Sequence, residues 1–304
     1  MARTAGRRLS RGGARSTTSE ALPGLPQRTV IGPYHLEKEL GKGAMGIVYL
    51  GCNRQKGQVA AIKTLDLVRE FDAAELAAAK RRFFHEAAMV ERLTHPNIVA
   101  LYEAGEEQDL AWLAMEFMAG RDLLPWCRAG TRLPLPTVLS IGARVAAALD
   151  YAHGRGIVHR DIKPANILYA AASDQVKVTD FGIAAIADTS RVGMVLGTPS
   201  YMSPEQLAGE EIDGRSDIYS LGVTLYQLCS GQLPFTGESL AELMYKIARE
   251  TPPDISRIEP TLPPDVAGVI ARAMTGVAER RYQRAADLAA DLRGCLASVG
   301  GEGR

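Results

Sequence analysis

Long apolar runs are missing from this 304-residue sequence. The nearest approach, residues 218–229, is broken by Ser, Gly, Thr and Gln, well short of the roughly 18 apolar residues a membrane-spanning helix needs. No span is expected, and the protein should be soluble as written. Net charge is missing too: 35 basic side chains balance 35 acidic ones, so nothing suggests a nucleic-acid partner. Cysteine is sparse. Cys52, Cys127, Cys229 and Cys295 are scattered with no CxxC pair, which gives neither a zinc site nor a disulfide framework and points to reduced thiols in a cytosol. No internal repeat divides the chain, which is long enough to bury a sizeable core as one large domain or two lobes.

The first 30 residues differ in kind. They are rich in Arg, Ser, Thr and Gly, with Glu20 the only acid, and bury too little apolar surface to offset chain entropy. A disordered tail is expected. Two sharper readings are an organellar transit peptide and an arm for an anionic partner; against the first, no Arg-studded amphipathic helix emerges through the glycines.

From Tyr34 the pattern becomes that of strands, over 34–40, 47–51 and 58–65, with helical composition over 73–93 and further strands over 101–105 and 110–117. Glycines 41, 43 and 46 lie between the first two strands, where their amides can approach phosphate without Cβ interference. A lone GxGxxG also marks dinucleotide folds, but there a helix follows, and here the next element reads as a strand. Beyond residue 119 the chain is mainly helical. Val138, Ile141, Val145, Leu149 and Ala152 fall on one face of a helix over 136–153, and residues 216–230 are apolar nearly all round, as in a buried central helix. Further helices are read through Leu240 to Ile247, Val266 to Met274 and 285–296.

Chemistry concentrates in residues 158–182, VHRDIKPANILYAAASDQVKVTDFG. Two short β-type runs flank a polar turn, with Asp161 before the hairpin and Asp180 after it. Folding the hairpin brings both carboxylates to one end of a sheet. With Asn166 and Lys163 between them, they suit hard oxygen ligation of Mg²⁺ and a base beside a cation that holds phosphate.

HRDIKPAN followed by DFG resembles the catalytic and metal-binding loops of eukaryotic-type protein kinases. With GKGAMGIVY, VAAIK, GTPSYMSPEQ and SDIYSLGVTLYQL, the chain is most similar to the bacterial eukaryotic-like serine/threonine kinases over residues 32–296. The resemblance implies an α+β, bilobal fold: a disordered tail (1–30), an N-lobe (31–118) with a small antiparallel sheet and one key helix, a larger, mainly α-helical C-lobe (119–298) and a flexible end (299–304). It also implies roles. Asp161 is the base that takes the substrate hydroxyl proton, Lys163 neutralises the transferred phosphate, and Asn166 and Asp180 hold Mg²⁺, with Mn²⁺ an alternative. Lys63 pairs with Glu86 and orients the ATP phosphates. Leu40, Gly41, Gly43, Gly46, Val48, Ala61 and Leu168 surround the nucleotide, the backbone of Glu116 and Met118 bonds its adenine edge, and Met115 guards the pocket behind.

Other residues read as structural: His159 and Phe181 as packing, Asp217 as a bond to the catalytic-loop backbone, Glu205 with Arg281 as an internal ion pair. Lys163 and Thr198 resemble serine/threonine rather than tyrosine kinases. Arg160 implies a phosphate on the following loop, with Thr189 and Ser190 the acceptors in autophosphorylation and Thr198 a contact to Asp161 and Lys163. The expected partners are Ser/Thr-bearing proteins and a second copy of the chain. A pseudokinase scaffold and a small-molecule phosphotransferase are the rivals. The chain ends at Arg304 with no span or sensor domain, so it is expected to be cytoplasmic or a fragment of something longer.

Overall fold

A computed structural model describes residues 29–43, 46–72, 74–107, 110–181 and 199–301. Residues 1–28 of the Arg-rich segment, Gly182, and the expected acceptors Thr189, Ser190 and Thr198 lie outside the described residues.

The first layer is an antiparallel sheet of six strands in the order β1-β2-β3-β4-β6-β5. Its strands are β1 (Val30–Ile31), β2 (Tyr34–Gly43), β3 (Gly46–Asn53), β4 (Gln58–Leu65), β5 (Leu101–Glu107) and β6 (Leu110–Glu116). Period-two alternation divides β4 between two environments. Ala60 and Ile62 point into a small outer cluster with Ile31, Tyr34, Leu36, Trp112 and Ala114. Ala61 and Lys63 therefore share the opposite face. β2 runs through Gly41 to Gly43, three residues beyond its expected end, and register shifts at Leu36/Lys38 and Glu39/Gly41 twist it.

Two helices cross this sheet, α1 (Leu67–Glu70) and α2 (Leu76–Val90). The sequence suggested one helix over 73–93. α2 falls within that range, α1 lies before it, and in the turn between them the Asp72 carboxylate accepts from Ala74 N and Glu75 N at 3.0 Å each. Phe83, Ala87 and Val90 are the buried side of α2 and belong to the main core.

The remainder is built on α3 (Leu135–His153), α4 (Pro204–Ala208), α5 (Gly214–Ser230), α6 (Leu240–Arg249), α7 (Pro264–Ala273) and α8 (Ala285–Gly301). As its composition predicts, α5 is buried along nearly its whole length. Its hydroxyls turn back onto carbonyls: Ser220 Oγ donates to Tyr201 O at 2.7 Å and Thr224 Oγ1 to Ser220 O at 3.0 Å. A Cβ on Gly142 of α3 would stand 2.8 Å from Leu225 and 3.2 Å from Leu292, so glycine lets α3 sink between α5 and α8. α8 continues past its predicted end at 296 because Val299 still packs on the core. No described helix is long and apolar enough to cross a membrane.

The expected hairpin is present as β8 (Ile167–Ala170) and β9 (Gln175–Val178), with β7 (Arg121–Asp122) on the far edge of β8. It is fastened to the residues just before β5. Asn97 O accepts from Val178 N at 2.9 Å, Val99 N donates to Val178 O at 2.9 Å, and Asn97 Nδ2 donates to Val176 O at 2.8 Å. Residues 95–99, which lie between α2 and β5, thus join the hairpin to the sheet.

Candidate active site

The residues expected to form a catalytic loop converge where the hairpin begins. Lys163 Nζ contacts both carboxylate oxygens of Asp161, at 2.9 and 2.8 Å. Asn166 Nδ2 donates to Asp161 Oδ2 at 2.9 Å and to its carbonyl at 2.7 Å. Both are acceptor-only groups, so the amide nitrogen must face them and Asn166 Oδ1 is turned elsewhere. No described residue donates to that oxygen. The Asp161 side chain remains 34% exposed, open to a proton donor from solvent or substrate.

His159 does more than pack. Its ring stacks edge-on against Phe181 with centroids 4.6 Å apart. Its Nε2 lies 2.8 Å from Thr179 O and must donate to that carbonyl, while Nδ1 accepts from Asp161 N at 3.2 Å. Both nitrogens are committed to neighbours, which fits the expectation that His159 is neither acid nor base and makes it a bridge between the Asp161 and Asp180 segments.

Arg160 and Asp180 both adopt left-handed backbone, with φ of 68° and 67°. This conformation costs a non-glycine residue of order 1–3 kcal/mol and persists where surroundings impose it. At Arg160 they do. Asp217 Oδ1 accepts from Arg160 N at 2.8 Å, Asp217 Oδ2 accepts from His159 N at 2.8 Å, and Gln206 Nε2 donates to Arg160 O at 2.8 Å. Asp217 was anticipated. Gln206 was not: it lies inside a capping box with Ser203 at the start of α4, and one amide side chain serves both tasks.

The residues expected around a nucleotide lie mainly on the sheet. Register pairs Val48 with Lys63 and Leu50 with Ala61, placing Val48 beside the lysine strand. Val48, Ala61 and Leu168 are half-buried, while Met115 and Met118 are buried and Leu40 is exposed. The Glu116 side chain is tied back, to Lys177 Nζ at 3.0 Å and Ala100 N at 3.2 Å, leaving recognition at that position to the backbone. Met118 O accepts from Gly120 N at 2.9 Å. Of the three glycines only Gly46 is demanded by the protein itself. Its φ is +141°, and a Cβ there would fall 1.7 Å from Thr64 O, whereas Gly41 and Gly43 face open space.

A sequence profile described as the protein kinase domain matches residues 34–285. The chain belongs to this family. It is 37% identical over 280 residues to a probable serine/threonine-protein kinase of Streptomyces coelicolor, covering 88% of this chain and 41% of that protein. It is 40% identical over 271 residues to the serine/threonine-protein kinase PknJ of Mycobacterium tuberculosis, covering 86% and 45%. The chain therefore spans less than half the length of these relatives. The crystal structure of the Mycobacterium tuberculosis PknI kinase domain superposes with a TM-score of 0.73 at 31% identity, covering 89% of this chain and 99% of that one. A structure of Rad53 in complex with AMP-PNP superposes at 0.71 with 25% identity, covering 84% and 64%.

One arrangement in this kinase domain differs from expectation. Lys63 Nζ lies 2.8 Å from Asp180 Oδ2, and Glu86 makes no ion pair among the described residues. Instead Glu86 lines a small, largely apolar cavity of about 30 Å³ with Phe83, Val90, Leu113, Met115 and Phe181. The left-handed turn at Asp180 presents its carboxylate to the lysine, and the cavity lies between α2 and that turn. Val90 of α2 and Phe181, next to Asp180, line the same cavity.

The donor set suits a divalent cation that takes few protein ligands. Asn166 Oδ1 and Asp180 Oδ1 accept no hydrogen bond from any described residue, and no described group of three or more His, Cys, Asp or Glu gathers as a metal cage. Hard oxygens with open lone pairs are what Mg²⁺ favours, since it completes its shell with water and substrate oxygens.

Proposed function

We propose that this domain transfers the γ-phosphate of ATP to serine or threonine hydroxyls of proteins. The observation that carries the reading is the Asp161 carboxylate, aligned by Lys163 and Asn166 yet still accessible. In this reading Asp161 accepts the hydroxyl proton as the oxygen attacks, and Lys163 shares its charge between the base and the incoming phosphate. Asn166 and Asp180 would hold Mg²⁺, or Mn²⁺ in its place, which when bound neutralises phosphate charge. Lys63 would turn from Asp180 to the phosphates, steadied by Glu86 once α2 approaches. Leu40, Val48, Ala61 and Leu168 would enclose the adenine, with the backbone of Glu116 and Met118 along its edge and the Gly41–Gly46 turn over the phosphates.

The serine/threonine assignment is supported by Lys163 and by the names of the relatives. Autophosphorylation at Thr189 or Ser190 by a second copy, and a cytoplasmic location, complete the proposal. Labelled ATP and Mg²⁺ with wild type and Asp161→Asn provide the test. The variant should lose about 10²- to 10⁴-fold in transfer rate, with nucleotide affinity little changed. Equal labelling of both proteins would overturn the assignment of the base, and labelling on tyrosine alone would overturn the substrate class.

A further inference from the structure

We propose that His153, the last residue of α3, is a positioning residue for phosphoryl transfer, holding the catalytic loop through Asp217; the inference rests on the kinase reading above.

Asp217 has no exposed side-chain surface. Burying an ionised carboxylate is tolerable only if its oxygens are satisfied. Three donors do this: His159 N and Arg160 N from the loop, and His153 Nε2 at 2.8 Å from Oδ2. An ionised carboxylate accepts and never donates, so Nε2 carries the hydrogen. Burial alone would push the Asp217 carboxyl up, yet it is held below its ordinary value, foremost by the His153 hydrogen bond. His153 is the one side-chain donor among the three, and it shares Oδ2 with the His159 amide.

The imidazole is fixed from outside as well. A Cβ on Gly214, the first residue of α5, would stand 2.4 Å from His153 Nδ1, so the helix start lies directly against the ring. His153 and Gly214 together border a surface cavity that is also lined by Asp150, Asp213, Arg215, Gln283 and Arg284. Position passes inward in steps. His153 sets the rotamer of Asp217, Asp217 sets the His159 and Arg160 amides, Arg160 is left-handed only under that hold, and the His159 ring fixes the Asp161 amide. A histidine at a helix end also interacts favourably with the helix dipole. That effect alone would change stability and leave the geometry of the base untouched.

The discriminating variants are His153→Leu, which fills the space without a donor, and His153→Gln, whose amide N–H reaches to a similar distance. In the full chain, kcat for a Ser/Thr protein acceptor should fall at least about tenfold in His153→Leu, with KM for ATP within about twofold of wild type. His153→Gln should recover most of the loss. Amide hydrogen exchange over residues 157–162 should accelerate in the Leu variant and return toward wild type in the Gln variant. Unchanged kcat and exchange in His153→Leu would overturn the proposal, as would a loss in both variants that tracks thermal stability and raises KM in parallel. If the wild type transfers no phosphate, the kinase reading fails, while the exchange measurement still decides whether His153 holds the loop.

Discussion

Replacing Glu205 by Gln strands Arg281, and the cost can be worked from the site. The Arg281 side chain has no exposed surface. It donates to Glu205 Oε1 at 2.8 Å, Glu205 Oε2 at 3.2 Å, Arg215 O at 2.6 Å, Thr275 O at 3.0 Å and Gly276 O at 3.3 Å. Ser216 Oγ adds a bond to Glu205 at 2.7 Å. Burial alone would raise the Glu205 carboxyl, but the Arg281 hydrogen bonds and charge, helped by Ser216, bring it from 4.5 down to about 2. At about 1.4 kcal/mol per unit, this amounts to about 3 kcal/mol, within the 3–5 kcal/mol typical of stranding one partner of a buried pair. For a domain of this size each kcal/mol moves Tm by about 2–4 °C, so Glu205→Gln should melt roughly 6–12 °C below wild type at pH 7. A depressed folded-state value stabilises the protein fully above the unfolded value and less as pH falls. The gap in Tm should therefore be complete above about pH 4.5 and close as pH approaches 2. Thermal melts by circular dichroism across that range test this, with kcat measured well below Tm. A gap under about 2 °C at pH 7, or one that widens in acid, would refute the reasoning. Loss of kcat in a variant with unchanged Tm would make the pair catalytic rather than structural.

Gly46→Ala should lose at least about 2 kcal/mol in denaturant unfolding, because φ of +141° and the Thr64 carbonyl both oppose a side chain; Gly43→Ala, in open space, should unfold like wild type. Burial pushes the Cys127 and Cys229 thiols up to about 12 and Cys295 to about 11, so at pH 8 their thiolate fractions are of order 10⁻³ or less. Iodoacetamide should modify only Cys52 in the native protein, and mass spectrometry of the digest would read any other site. Asn97→Ala removes a donor to the Val176 carbonyl and should cost about 1–2 kcal/mol in the same unfolding assay.

Features governed by local periodicity could be read from the chain. The polar turn announced the β8–β9 hairpin, and an all-round apolar helix was found within two residues of where its composition put it. Partnerships between distant elements were less accessible. Glu86 was the expected partner of Lys63 and Asp180 is the observed one, a choice that depends on where α2 and the Asp180 turn settle as bodies. Gln206 looks like an ordinary capping residue and His153 like an ordinary helix end; their second bonds, to Arg160 and Asp217, exist only once α4 and α5 dock. The short run around Asn97 carries no signal for its pairing with β9, since main-chain atoms make most of it.

The grip of Asp217 and Gln206 on both sides of the Arg160 peptide has a mechanical consequence. Asp161, the proposed base, is carried by the helices, whereas Lys63 rides on the sheet, so the two hang from separate supports. Drift of one support against the other changes how far the ammonium must reach, while the aim of the carboxylate is preserved.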